Sequence, residues 1–159
     1  MNPETYRQHL SSGIARYGRT FLAPDQEVRG MFDRSNSQLT ILADVPLGTP
    51  LIDPQQGLTY IVADQHHDYP AKVLHLVELN HSCTIMRGSA VLYDNLLCSV
   101  TKQTAITSIA LPRSVEVRDF DRITVQDQTF QVRDTSRLHG PGILLCKCIL
   151  YQPEQISPL

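Results

Sequence analysis

Three groups of residues in this chain are of types that could do chemistry. His66-His67-Asp68 stands in the stretch DQHHDYP, His81-x-Cys83 follows it, and Cys146-x-Cys148 lies in the last apolar run. Imidazole and thiolate are zinc ligands, and residues i and i+2 of a strand share a face. His81 and Cys83 together with Cys146 and Cys148 therefore have the spacing of a four-ligand zinc site. Two features argue against metal. A C-x-C inside an apolar strand lacks the turn of the usual C-x-x-C knuckle, and adjacent His66 and His67 on a strand would point to opposite faces. We read the histidines as a polar loop cluster and all four cysteines (Cys83, Cys98, Cys146, Cys148) as small buried hydrophobes, with no metal and no cofactor expected.

Other chemistries find less support. There is no G-x-S-x-G elbow and no phosphate-binding glycine loop. The carboxylates Asp44, Asp53, Asp64, Asp94, Asp119, Asp121 and Asp134 are scattered, and Asp64 and Asp134 read as strand-end caps that bond through their own side chains. Tyr60 and Phe130 could stack nucleobases, but the weak cluster Arg16, Arg19, Arg29 and Arg34 does not amount to a basic groove. The chain is thus expected not to be an enzyme. Its 159 residues are 42% hydrophobic and 19% charged, with a formal net charge of −2. That composition suits a globular fold without a nucleic-acid-binding block or a membrane span.

The elements that must position these residues are mostly strands. Asn2 caps, Pro3 suits the first helical turn, and Tyr6, Leu10, Ile14 and Tyr17 recur at helical spacing before Gly18. Beyond it, short β-rich runs are expected at 26–32, 38–43, 58–64, 71–79, 84–93, 104–111, 122–125, 128–134 and 142–150. The prolines of 44–56 favour a loop or edge strands there. The expected fold is mainly β: a short N-terminal helix and arm (1–20), then two related antiparallel β modules (21–80 and 81–150), packed as tandem small barrels or a sandwich. An extended C-terminal arm (151–159) completes the chain.

The modules are related by a repeat. GLTYIVADQHHDYPAKVLHLVEL (57–79) aligns without a gap on DQTFQVRDTSRLHGPGILLCKCI (127–149). Thr59, Tyr60, Val62 and Asp64 meet Thr129, Phe130, Val132 and Asp134, and Val73-Leu74 meets Ile143-Leu144. Alternation puts Tyr60 and Val62, and likewise Phe130 and Val132, on the core face, with Leu74 and Leu76 matched to Leu144 and Cys146. Upstream, Met31-Phe32-Asp33 resembles Leu92-Tyr93-Asp94. The loops 65–70 and 135–141 keep their length but not their residues, as binding loops on a kept scaffold do. They supply the candidate assembly residues His66, His67, Asp68, Tyr69, Arg137, Leu138 and His139.

The run Phe120-Asp121-Arg122-Ile123-Thr124-Val125, then Thr129-Phe130-Gln131-Val132, Gly140-Pro141-Gly142 and Ile143 to Leu150 resembles the C-terminal half of small neck proteins of tailed bacteriophages. These are the head-tail joining, tail-attachment and head-closure (stopper) proteins. EVRGMFDRSN (27–36), after a short helix, is similar to their opening. The chain departs from them in carrying the hairpin unit twice. The resemblance implies a virion structural protein, made in the host cytoplasm and assembled as a homo-oligomeric ring against connector or tail proteins. It also implies passive contact with DNA in the channel and no membrane. A tail terminator or baseplate adaptor is the alternative within that class, and a zinc- or nucleic-acid-binding β domain the alternative outside it.

Overall fold

The computed structural model describes residues 2–137 and 140–153. One helix, α1 (Pro3–Tyr17), precedes twelve strands: β1 (Arg19–Leu22), β2 (Glu27–Asp33), β3 (Gln38–Ile41), β4 (Pro50–Asp53), β5 (Leu58–Asp68), β6 (Ala71–Glu78), β7 (His81–Arg87), β8 (Ala90–Lys102), β9 (Thr107–Pro112), β10 (Arg122–Val125), β11 (Gln128–Ser136) and β12 (Ile143–Leu150). They form two closed antiparallel barrels, ordered β1-β2-β3-β6-β5-β4 and β7-β8-β9-β12-β11-β10. The two orders are the same permutation, so the repeat is a repeat of topology. Closure leaves neither barrel with an unpaired edge. Of the two expected packings, tandem barrels are the one adopted.

The helix starts as expected, with the Asn2 side chain accepting from the Glu4 amide at 2.9 Å. It stops at Gly18, whose amide donates to the Ile14 carbonyl and where a Cβ would lie 2.4 Å from that oxygen. Its apolar stripe is used sparingly. Ile14 is buried, Tyr17 is exposed, and Arg29 of β2 secures the last turn by donating from Nε to the Ile14 carbonyl. No helix among the described residues is long and apolar enough to cross a membrane.

Each barrel has its own core. Phe21, Val28, Leu39, Ile41, Leu51, Tyr60, Val62, Leu74 and Leu76 fill the first, where Phe21, Phe32 and Tyr60 meet edge to face at 5.4–6.1 Å between centroids. Ile85, Ile109, Leu111, Ile123, Phe130, Val132 and the four cysteines fill the second. Fully burying one such aliphatic side chain contributes about 2 kcal/mol. The cysteines are free thiols in that core. Burial pushes Cys146 and Cys148 up to about 12, and a hydrogen bond with Cys98 together with burial pushes Cys83 up. We expect no reaction with a thiol-specific disulfide reagent at pH 8 in the native protein, and four equivalents once it is unfolded. Rapid native labelling of any cysteine would contradict this placement.

Several expectations need correction. β1 begins inside the expected N-terminal arm and was not foreseen. The run 84–93 is not one strand but the end of β7, a turn at Gly88 (φ +60°) and the start of β8, because Gly88 takes a left-handed conformation open to glycine. The proline-rich 44–56 contains β4, with Pro50 at its first position, where a missing N–H is tolerated. The expected loop 65–70 is mostly strand. β5 runs on through His66, His67 and Asp68, and β6 pairs with it down to Asp68–Ala71.

The repeat's register also differs from the ungapped alignment. Outgoing strands match at Val62 and Val132, each followed by a bulge at Ala63 or Arg133. Beyond each bulge, Asp64 and Asp134 accept from the next residue's amide. On the return strands, however, Leu76 pairs with Val62 and Cys148 with Val132, so Leu76 corresponds to Cys148 and Leu74 to Cys146, two residues past the sequence match. The second connection is longer, and a slip of two keeps every side chain on its own face, so apolar alternation cannot detect it. Following the ladders from β3 and β9 back to β2 and β8 sets Phe32 against Val100. The triplet match with Leu92-Tyr93-Asp94 is therefore not structural.

Candidate assembly surfaces

His66, His67, Asp68 and Tyr69 lie at the end of the β5–β6 hairpin, where β5 runs past β4 while β6 stays paired with β3 as far as Lys72. All four are exposed, and Tyr69, in the two-residue turn, is 79% exposed. On one face of the hairpin His66 Nδ1 lies 2.9 Å from His75 Nε2, while Lys72 ion-pairs with Asp44. The histidines are thus braced by strand pairing rather than carried on a free loop. Among the described residues no set of three or more His, Cys, Asp or Glu groups is gathered as metal ligands. His81 sits at one mouth of the second barrel with Val100, Lys102 and Phe130, while Cys146 and Cys148 face its core.

The matching loop of the second barrel is spent differently. Arg137 donates to the Arg113 carbonyl at 2.9 Å, and Leu138 and His139 lie outside the described residues. Gly140 and Gly142 press on the first barrel. The Gly142 amide donates to the Ala63 carbonyl at 2.7 Å, and Ile61, Ala63 and Leu79 pack on Ala110 and Ile143. An apolar cleft of about 320 Å³ flanks this joint, lined by Gly48, Pro50, Ile61, Leu79, Leu97 and Pro112 among others. The joint is head to tail: the β4–β5 side of the first barrel meets the β9–β12 side of the second.

Because the barrels repeat, the side of the second barrel that corresponds to Gly48, Pro50, Ile61, Ala63 and Leu79 can be identified. The Gly48 amide donates to the Val62 carbonyl at 2.8 Å, and the Phe120 amide to Val132 at 2.7 Å. Leu79 donates to Thr59 and Tyr151 to Thr129, each at 2.9 Å. Gly48 and Phe120 share a positive φ, +81° and +72°. The matching residues are therefore Phe120, Arg122, Gln131, Arg133 and Tyr151. Here Phe120 is 66% exposed, with the Arg133 guanidinium 5.7 Å above its ring, and Arg122 stands 5.2 Å above Tyr151. Sequence reading missed this aromatic–arginine face. In the sequence Phe120 reads only as part of a motif and Tyr151 as the start of the C-terminal arm, whereas the Tyr151 amide still pairs with β11.

Two buried carboxylates are each held by arginine and are not related by the repeat. Asp53 accepts from Arg19 at 2.6 Å and from the Gln55 amide. Asp121 takes a two-pronged bond from Arg87, 2.9 Å on each arm, and a third from the Arg118 amide. Burial pulls the Asp121 carboxyl up, but these bonds and charges outweigh it and hold it below the usual carboxylate range. Asp53 corresponds to Val125 and Asp121 to Thr49, so the two pairs lock opposite ends of their barrels. Both are structural clamps within the wall.

A scan against protein-family models found no matching family, and searches of curated proteins and of solved structures found no match.

Proposed function

We propose that this chain is a structural component of a tailed-phage particle, assembling as a ring at the head-tail junction, with no chemistry of its own. The observation that carries the reading is the head-to-tail joint between two copies of one barrel. Two different faces meet there, and repetition of such a heterologous contact generates rings when the rotation closes. The resemblance of residues 115–150 to phage neck proteins supplies the particle. The exposed Tyr69 at the turn of the β5–β6 hairpin supplies a second contact, toward a connector or tail neighbour, and a ring's lumen would give passive contact with DNA.

The test is mass spectrometry of purified particles combined with electron microscopy of the same particles labelled through a tag on this chain. The expected result is label at the junction between capsid and tail. Label at the distal tail would move the chain to a baseplate adaptor, and absence from the particle would end the proposal.

A further inference from the structure

The second barrel carries an exposed face that the fold of the single chain does not use. At the position where the first barrel has Gly48 packed into the joint, the second has Phe120. Its backbone is left-handed, which a bulky residue adopts only under strain, and its ring is mostly in solvent. The joint's Ile61, Ala63 and Leu79 are matched by Gln131, Arg133 and Tyr151. Because Ile61, Ala63 and Leu79 pack as one cluster, their counterparts share one face of the second barrel. An open cleft of about 470 Å³ beside Tyr151 is lined by Gln131, Ile149 and Leu150.

Rings and cations are interleaved on this face. The Arg133 guanidinium lies 5.7 Å from the Phe120 ring centroid, and that of Arg122 lies 5.2 Å from the Tyr151 centroid. Lys147, exposed on β12, is the register partner of Asp134, the residue after Arg133. Of the carboxylates around them, Asp121 is buried against Arg87, Asp134 accepts from the Thr135 amide, and Asp119 is exposed. Charge follows the same division between the modules. Residues 81–150 carry eight Arg and Lys against six Asp and Glu, whereas residues 19–80 carry four against eight.

This composition suits an unpaired nucleic-acid strand, whose bases stack on the rings while its phosphates meet the cations. Tyr60 and Phe130, the pair that the sequence offers for stacking, are buried in their barrels and cannot serve. Spacing narrows the class further. The Phe120 and Tyr151 amides donate to the Val132 and Thr129 carbonyls, three residues apart on β11, so the two platforms are rooted about 10 Å apart. Bases in a duplex are only about 3.4 Å apart along each strand, and their faces are already stacked. The two rings therefore fit an extended strand with splayed bases rather than a duplex.

We propose that this face of the second barrel binds single-stranded nucleic acid, with Phe120 and Tyr151 stacking on bases and Arg122, Arg133 and Lys147 contacting phosphates. The inference stands apart from the ring reading, and neither requires the other.

The test is fluorescence anisotropy with the full chain over a salt series, using labelled oligothymidylate, an abasic strand of equal length and a duplex of equal length. Oligothymidylate is expected to bind, more weakly as salt rises, and the abasic strand and the duplex to bind at least about tenfold more weakly. Phe120→Gly removes the ring and relieves its backbone strain. It is expected to weaken oligothymidylate binding about tenfold, to leave the salt slope unchanged, and to have no effect on the abasic strand. Tyr151→Leu is expected to act in the same way. Arg133→Gln and Lys147→Gln are each expected to flatten the slope of log affinity against log salt by about 0.7. Failure of oligothymidylate to bind at low salt overturns the inference. Equal binding of the abasic strand by the wild type also overturns it, and that comparison needs no variant to fold. Wild-type affinity and slope in all four variants would exclude this face. Oligoglutamate binding as tightly as oligothymidylate, with the same loss in Phe120→Gly, would make it an acidic-peptide site instead. The particle imaging described above decides the ring reading whatever the outcome here.

Discussion

Replacing Gly142 with alanine is expected to break the joint between the barrels while leaving each barrel folded. A Cβ at this position would stand 1.9 Å from the Val62 carbonyl oxygen and 2.8 Å from the Gly48 nitrogen. Both are backbone atoms, held in turn by the 2.8 Å bond from the Gly48 amide to Val62, so no side chain can swing aside to make room. The contact must open, and with it go the Gly142–Ala63 hydrogen bond and the packing of Ile61 and Leu79 on Ala110 and Ile143. Overpacking of this kind costs about 1–3 kcal/mol or more, here concentrated on the joint. Wild-type protein is expected to melt in one calorimetric transition, and Gly142→Ala in two, or in one broadened transition at lower temperature. Gly57→Ala is a comparison at a turn where nothing lies within 4 Å of the added carbon, so only the local strain of its positive φ is felt. A single unshifted transition for Gly142→Ala would show that the joint contributes nothing to coupling.

The sequence made the fold class, the repeat and most of the core faces legible because all three rest on period-two alternation. Tyr60, Val62, Phe130, Val132, Leu74 and Leu144 are buried as alternation requires. The same signal concealed the register, since a slip of two residues between Leu74–Leu144 and Leu74–Cys146 leaves the apolar pattern unchanged. It also concealed the length of β5: His66, His67 and Asp68 are three exposed polar residues in a row, where β5 runs past β4, so no alternation announces the strand. The Phe120 face was illegible for a different reason. No residue pattern marks a phenylalanine that adopts positive φ, and its relation to Gly48 appears only once the backbone hydrogen bonds of both copies are compared. The prolines of 44–56 favour a loop or edge strands over a central strand, whereas β4 is paired on both sides, with Pro50 at its first position, where the absent N–H costs no ladder bond.

The clamp between Arg87 and Asp121 is expected to respond unequally to loss of its two partners. Asp121 is 2% exposed, whereas the Arg87 side chain is 37% exposed. In Arg87→Met the carboxylate stays buried with only the Arg118 amide to satisfy it, and an uncompensated buried charge is costly. In Asp121→Asn the freed guanidinium can turn to water, while the amide oxygen still accepts from the Arg118 amide. We expect Arg87→Met to lose clearly more stability in urea unfolding than Asp121→Asn. Acid adds a second signature. The folded carboxyl lies below its unfolded value, so the unfolded state binds the proton first on acidification. The clamp's stabilisation is then fully present above the unfolded carboxylate pKa of about 4. It is lost as pH falls through the lower folded value. Wild type and Asp121→Asn are therefore expected to converge in stability below about pH 4 and to diverge above it. Equal losses in the two variants, or a wild-type advantage that grows toward low pH, would mean that Asp121 is not held ionised in the barrel wall.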